Sequence, residues 1–498
     1  MRFAADDMPT PSDAHERFQR GPALTTQDHP WGTPMTQRPL LAIVLGAGKG
    51  TRMKSDRPKV LHQVAGLSML GHVLRTVNAV GAARIAVVVG PGMDQVAAEA
   101  RTYAIGADVW VQAQQLGTGD AVKAARASIE KHNGHVIVLF ADTPLFQPET
   151  LSAVAQALDN GAHVAVVGFE AADPTNYGRL VRGADGKLEA IREHKDASPA
   201  ERAITLCNAG VMGFRSQHML AILDAIGNAN ANSEFYLTDA VTIARARGLA
   251  TDIIVCAEDE VLGVNSRDQL AEAERIWQQR RRKQVMLDGA TLIAPDTVWL
   301  SYDTALGRDV TIEPNVFFGR GVTIEDGAII KANCHFDGAD GKSKQGVRIR
   351  AGAEVGPYAR LRPGADIGPG AHIGNFVEVK NATLEAGAKA NHLSYIGDGR
   401  VGAGANIGAG TIFCNYDGFF KHFTEIGPGA FVGSNTSLVA PVKIGAGAFV
   451  GSGSVITKDV SPDALAIERA TQEERPGWAA KFRAVMQRRK DEKAAKKA

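Results

Sequence analysis

Residues 45–59 read LGAGKGTRMKSDRPK, with glycines at 46, 48 and 50 interleaved with and followed by Lys49, Arg52 and Lys59. Closely spaced glycines let the backbone approach a ligand, and exposed amide N–H groups backed by cations suit a polyphosphate. The stretch lacks the GK[ST] ending of a P-loop and its glycine spacing is not GxGxxG, so ATPase and dinucleotide-binding readings weaken. A carboxylate for a hard cation is also in place. Asp142 follows the apolar run VIVLF and so projects at the carboxyl end of a strand, where phosphates gather. The alternative role for Asp142 is to cap the next turn.

Such residues need a frame. LLAIVLG, RIAVVVG and HVIVLF each read as a buried strand, and HVLRTVNAV and DAVKAARASI between them read as helices, the spacing of βαβ units. Residues 39–266 therefore form an α/β domain with a largely parallel sheet and a ligand site beyond the strands' carboxyl ends. Residues 267–290, including RDQLAEAERIWQQRRRKQVML, carry one apolar stripe and predict a connecting helix whose arginines are solvated.

From residue 291 the period changes. Aliphatic residues recur every six positions at Val310, Val316 and Val322, then at Ile349, Val355, Leu361, Ile367, Ile373 and Val379, then at Ile426, Val432, Leu438, Ile444, Val450 and Ile456. Units such as IGPGAH, VGAGAN and IGAGAF predict a parallel β-helix over residues 291–468, three short strands to a coil, with the aliphatic side chain inside. The frame slips at GADGKSKQG (338–346) and at FCNYDGFFKHFTE (413–425), and loops thrown from a rigid scaffold are where function concentrates. The basic tail, residues 469–498, is expected to cap the open end of the solenoid; an interaction tail is the alternative.

Composition narrows the class of protein. At 498 residues the chain exceeds a single ordinary core, and a net charge of +1 supplies no field for nucleic acid or an anionic membrane. Cys207, Cys256, Cys334 and Cys414 form no CxxC pair, which argues for a reducing compartment and against structural metal. No apolar run reaches the roughly 18 residues of a membrane span, and the first 38 residues lack a signal peptide's apolar stretch. Those 38 residues, rich in Pro, Asp, Gln and Thr, read as a disordered extension of a cytoplasmic protein.

GxGTRM followed by PK, together with QLGTGDA and FADTPL, resembles the nucleotidyltransferases that make nucleoside-diphosphate sugars. That resemblance implies that Leu45, Gly46 and Gly48 line the nucleotide, Arg52 and Lys59 hold phosphates, and Gln112, Gly117 and Thr118 meet the uracil edge. It assigns Mg2+ to Asp142 and to Asn265 of GVNSR, and the sugar to Gly178, Glu193 and Asn208. The attacking group, a sugar phosphate, is already anionic, so repulsion rather than proton removal is the difficulty.

A hexapeptide prism alone leaves open a scaffold for assembly or regulation. RLRPGA, GNFVEVKNA, NHLSYIGD, NIGAGT and NYDG, however, resemble the acetyltransferase half of the bifunctional GlmU family. The resemblance implies a Rossmann-like nucleotidyltransferase domain joined to a left-handed parallel β-helix, and makes His392 the base that takes the amine's proton. Glu378 is the weaker candidate to orient that imidazole. Arg362 and Lys380 would hold the phosphate of glucosamine 1-phosphate, with Tyr395, Asn406 and Lys421 completing the pocket. Acetyl-CoA would meet Ala409, Asn415, Tyr416, Ser434, Ser452 and Arg469. The remaining substrates implied are UTP and N-acetylglucosamine 1-phosphate, and the assembly implied is a homotrimer whose acetyl sites draw on neighbouring subunits.

Overall fold

The computed structural model describes residues 38–339 and 345–496. All but the last residue of the expected N-terminal extension, and the middle of the 338–346 insertion, lie outside the described residues. The chain divides into two units at Arg275 and Ile276.

In the first unit the strand Leu40–Leu45 is buried along its whole length. It pairs in parallel with Arg84–Val89 on one side and His135–Phe140 on the other. Near-continuous apolar runs of this kind belong to strands covered on both faces. The sheet runs, edge to edge, Thr251–Val255, Val164–Glu170, Leu206–Arg215, His135–Phe140, Leu40–Leu45, Arg84–Val89 and Asp108–Val111. Leu206–Arg215 is antiparallel to both neighbours, with its register broken between Asn208 and Met212. The NAG triplet at 208–210 interrupts its alternation, which kept this strand out of the sequence pattern. Separate apolar clusters cover the two faces, one around Val44, Val87 and Leu139 and the other around Ile43, Val88 and Val138. The segment DAVKAARASI forms two helices, Thr118–Ala124 and Arg126–Glu130, broken at Ala125.

The helix Arg267–Leu287 leads into the second unit, a prism of very short parallel strands. Interior residues align coil upon coil: Ile324 pairs with Ile349, Ile330 with Val355, and Phe336 with Leu361. The pairing corrects the frame. Ile324, Ile312 and Phe318 are the counterparts of Ile349, Val355 and Leu361 in turn, whereas Val322, Val310 and Val316 stand two positions earlier, at corners that also point inward. Both sets are buried, so a step of six fits either one, and the sequence alone could not tell them apart.

The pairing also shows where the coil departs from six. The interior advances by six through Val355, Leu361, Ile367, Ile373 and Val379, then by only five to Leu384, and again by five from Ile396 to Val401. It advances by thirteen from Phe336 to Ile349 and from Phe413 to Ile426. These four departures fall at the same corner of the prism, so one edge absorbs both these shortened turns and the two loops; the step of eight from Leu292 to Leu300 falls at another corner.

The tail does not cap the prism. The helix Trp478–Ala495 has no buried residue, and its Trp478, Phe482, Val485 and Met486 are exposed along one stripe. Residues 470–477, which lead into it, are exposed throughout.

Ile367 is fully buried in the prism interior. Ile367→Ala is expected to destabilise the second unit by about 2–5 kcal/mol, seen as a lower urea midpoint for its unfolding, while nucleotidyl transfer by the first unit persists.

Candidate functional site

In the first unit the opening strand ends at Leu45, and Gly46 N–H donates to the Val88 carbonyl at 2.8 Å. The glycine loop that follows leads into a single turn, Thr51–Met53. Gly50 sits at φ +62°, and a Cβ there would lie 2.5 Å from the Lys59 Cβ; glycine is what lets Lys59 come this close. Gly117, at φ +111°, is similarly closed in by the backbone of Phe235.

A cavity of about 270 Å³ opens over this loop, lined by Leu45, Gly46, Gly48, Lys59, Gln112, Gly117, Thr118 and Asp142. On its wall the buried Lys59 ammonium is ion-paired with Asp142 and donates to Asn265 Oδ1 at 2.9 Å. Val264 N–H donates to the Asp142 carbonyl at 2.9 Å, which fixes Asn265 beside Asp142 although the two are far apart in sequence. A carboxylate oxygen and an amide oxygen thus converge on one cation, and that donor set fits a hard divalent metal.

Gly178, Glu193 and Asn208 lie together but outside this lining. Asn208 N–H donates to the Gly178 carbonyl at 2.8 Å, and a Cβ on Gly178 would stand 3.6 Å from Glu193 Oε1. Burial pushes the Glu193 carboxyl above the ordinary range, against the bond it accepts from Thr238 Oγ1. Arg52 is exposed in its turn and does not line the cavity.

Sequence reasoning missed Gln115 and Glu234, which line the same cavity. Gln115 lay inside the quoted QLGTGDA and donates to the Ala47 carbonyl. Glu234 carried no pattern. It is placed by the next residue, Phe235, whose N–H donates to the Leu116 carbonyl and whose carbonyl accepts from Gly119, both at 2.8 Å.

On the prism, His392 ends the strand Lys389–His392 with its ring exposed. Its Nδ1 hydrogen-bonds to Asn375 Oδ1 at 3.0 Å; with the amide oxygen accepting, Nδ1 carries the proton and Nε2 is left to accept one. Asn375 and His392 face each other on adjacent coils. Ala409, Ser434 and Ser452 continue the same corner on later coils, joined by Asn435 N–H to the Ala409 carbonyl and Gly453 N–H to the Ser434 carbonyl. Arg469 donates to the Ser452 carbonyl at 2.8 Å.

Glu378 does not orient the imidazole. It stands in register with Arg360 and accepts from Arg362 Nη1 at 2.8 Å, so the guanidiniums take the carboxylate and Asn375 holds the histidine. Three cations then gather around one point. Lys421, in hydrogen-bonding contact with Lys380, holds that amine below the ordinary lysine range, with burial and the charge of Arg362 adding to the effect. Tyr395 opens the strand that follows His392, and Asn415 is buried at the root of the long loop. Tyr416 is exposed on that loop, its hydroxyl donating to the Gly418 carbonyl at 2.6 Å. Asn406 is the outlier: it pairs with Lys389 and Phe431, on a different face of the prism from Arg362 and Lys380.

A sheet with a metal-competent nucleotide cavity and a hexapeptide prism carrying an exposed histidine and a cluster of cations define a two-part transferase. Residues 42–207 match the family of MobA-like NTP transferase domains, and residues 423–458 match the bacterial transferase hexapeptide of six repeats. The chain is 58% identical to the bifunctional protein GlmU of Azorhizobium caulinodans and to that of Xanthobacter autotrophicus, covering 91% of this chain and 99% of each relative. It is 51% identical to the GlmU of Agrobacterium fabrum over 93% of this chain and 99% of the relative. The chain belongs to the bifunctional GlmU family, and it is an enzyme combining nucleotidyltransferase and acyltransferase domains.

Asn375→Ala removes the hydrogen bond that fixes the imidazole. Acetyl transfer is expected to fall by about tenfold or more in a thiol-release assay, while pyrophosphate release by the first unit stays within about twofold.

Proposed function

We propose that the second unit transfers acetyl from acetyl-CoA to the amine of glucosamine 1-phosphate, and that the first joins the resulting N-acetylglucosamine 1-phosphate to UTP. The products are UDP-N-acetylglucosamine and pyrophosphate, a supply suited to cell-envelope precursors. The observation that carries this reading is the presence, in one chain, of the Lys59–Asp142–Asn265 node on a nucleotide-sized cavity and of a prism that carries both an exposed His392 and the cluster of Arg362, Lys380 and Lys421. We assign nucleotidyl transfer to residues 39–266 and acetyl transfer to 291–468, joined by 267–290, with 469–498 left as a tail.

In uridylyl transfer the sugar phosphate oxygen attacks the α-phosphorus of UTP and pyrophosphate leaves, with no proton to remove. Asp142 and Asn265 would hold Mg2+, which supplies charge neutralisation on the triphosphate. Lys59, held by both oxygens in this structure, would turn to the phosphates when Asp142 and Asn265 hold Mg2+. Arg52, exposed in the turn that follows the glycine loop, adds a second positive group. Gln112, Gly117 and Thr118 border the base, while Gly178, Glu193 and Asn208 receive the sugar.

In acetyl transfer the amine nitrogen attacks the thioester carbonyl. Its N–C bond forms as the C–S bond breaks, His392 Nε2 takes the amine proton, and the CoA thiolate accepts a proton in turn. Arg362, Lys380 and Lys421 meet the sugar's phosphate dianion, with Tyr395 beside them. Ala409, Asn415, Tyr416, Ser434, Ser452 and Arg469 border the cofactor. Asn406 faces away from this pocket, which supports a homotrimer in which another copy turns that residue toward the site. No helix among the described residues is long and apolar enough to cross a membrane, and with UTP and acetyl-CoA as substrates we place the enzyme in the cytoplasm.

The test is to assay both transfers in two variants. His392→Ala should abolish acetyl transfer and leave uridylyl transfer within about twofold; equal loss or equal retention of both would overturn the assignment. Lys59→Ala should slow uridylyl transfer at least about tenfold, roughly 1.4 kcal/mol in the barrier, without touching acetyl transfer.

A further inference from the structure

The loop that follows Cys414 leaves the prism at the corner that takes the five-residue and thirteen-residue steps, and Asp398 stands at that corner one coil earlier. Asp398 lies in the strand Tyr395–Val401, in the left-handed backbone region at φ +49°, a conformation Asp tolerates better than most residues. Its side chain is only 13% exposed. One carboxylate oxygen accepts from Asn381 Nδ2 at 2.7 Å, and the other from Asn415 Nδ2 at 2.5 Å. Lys421 Nζ lies 4.0 Å from that second oxygen.

The carboxylate therefore touches the preceding coil, the root of the long loop and the lysine that the loop carries. Glu378 and Asp337, the other carboxylates of this cluster, are engaged by Arg362 and Arg360, which leaves Asp398 to balance the two lysines. Building on the acetyl-transfer reading above, we propose that Asp398 is a positioning residue. It fastens the 414–424 loop to the prism and holds Lys421 next to Lys380, so that the two ammonium groups form a preorganised receptor for the phosphate of the sugar substrate.

The charge balance supports this. Lys380 is depressed chiefly by contact with Lys421, then by burial and by Arg362, and Asp398 is the group that opposes the depression. The charged and titratable groups around the two lysines are Arg362, Glu378, Asp398 and Tyr395. Without the Asp398 charge the Lys380 amine falls further. Phosphate binding needs both amines protonated, so a loss that grows as pH rises is added to the loss of Lys421's position, which is present at neutral pH.

The experiment is steady-state acetyl transfer to glucosamine 1-phosphate by the full chain from pH 7 to 9.5, with uridylyl transfer as the internal measure of folding. D398N should raise KM for glucosamine 1-phosphate about tenfold at pH 7.5 and more steeply above pH 8, with a smaller change in kcat. D398E should recover most of the loss. If Asp398 acts through Lys421, the D398N/K421M double variant matches K421M alone. An unchanged KM in D398N, or a further loss in the double variant, overturns the assignment. Failure of the unmodified chain to acetylate this substrate would instead overturn the acetyl-transfer reading on which it rests.

Discussion

Both parts of this molecule must hold positive charge together before the anion that calls for it arrives, and like charges at close range repel. The solution is the same in each place. Three of the cations are held by internal oxygens: Lys59 by Asp142 and Asn265, Arg362 by Glu378, and Lys421 by Asp398. These contacts are not chiefly a source of stability, since pairs near the surface contribute little. Their effect is on position. They keep long, flexible side chains in the geometry a phosphate needs, so less side-chain entropy is lost on binding.

The scaffolds differ in how they bring such groups together. In the first unit the parallel sheet carries Leu45 and Phe140 to one edge in register, and the loops beyond them supply Lys59 and Asp142. Asn265 comes from a late segment tied to Asp142 through the backbone of Val264. In the prism each strand is only a few residues long, so position is set by coil height and corner. One corner stacks Asn375, His392, Ala409, Ser434 and Ser452; another takes the five-residue and thirteen-residue steps and with them Asn381, Asp398 and the long loop. The pocket lies on the face between these two edges, where a rigid ladder meets an adaptable one.

That division explains what could be read from the residues alone. A step of six and uninterrupted apolar strands are direct consequences of burial, so the sheet and the prism were legible, as was the gathering of the glycine loop, Lys59 and Asp142 around one cavity. The frame of the first coils was not, because Val310 and Ile312 are both interior and either satisfies the period. The antiparallel strand Leu206–Arg215 hid behind its own irregularity at Asn208. Glu378 looked like the histidine's partner because it is an acid near His392 in sequence, but register places it against Arg360 and leaves Asn375 opposite the imidazole. Sequence distance does not report which corner of a coil a residue occupies.

The choice of an amide rather than a carboxylate beside His392 follows from the same charge logic. A carboxylate on Nδ1 would favour the protonated imidazole, and the ring must be neutral to take a proton from an amine. With Arg362, Lys380 and Lys421 nearby, a neutral ring also adds no further positive charge to the cluster. Asn375 orients the ring without favouring its charged form, and the carboxylates of this face are spent on the arginines and lysines instead. The sugar's phosphate then enters a pocket whose cations are already fixed, and the proton acceptor stays separate from the groups that hold the charge.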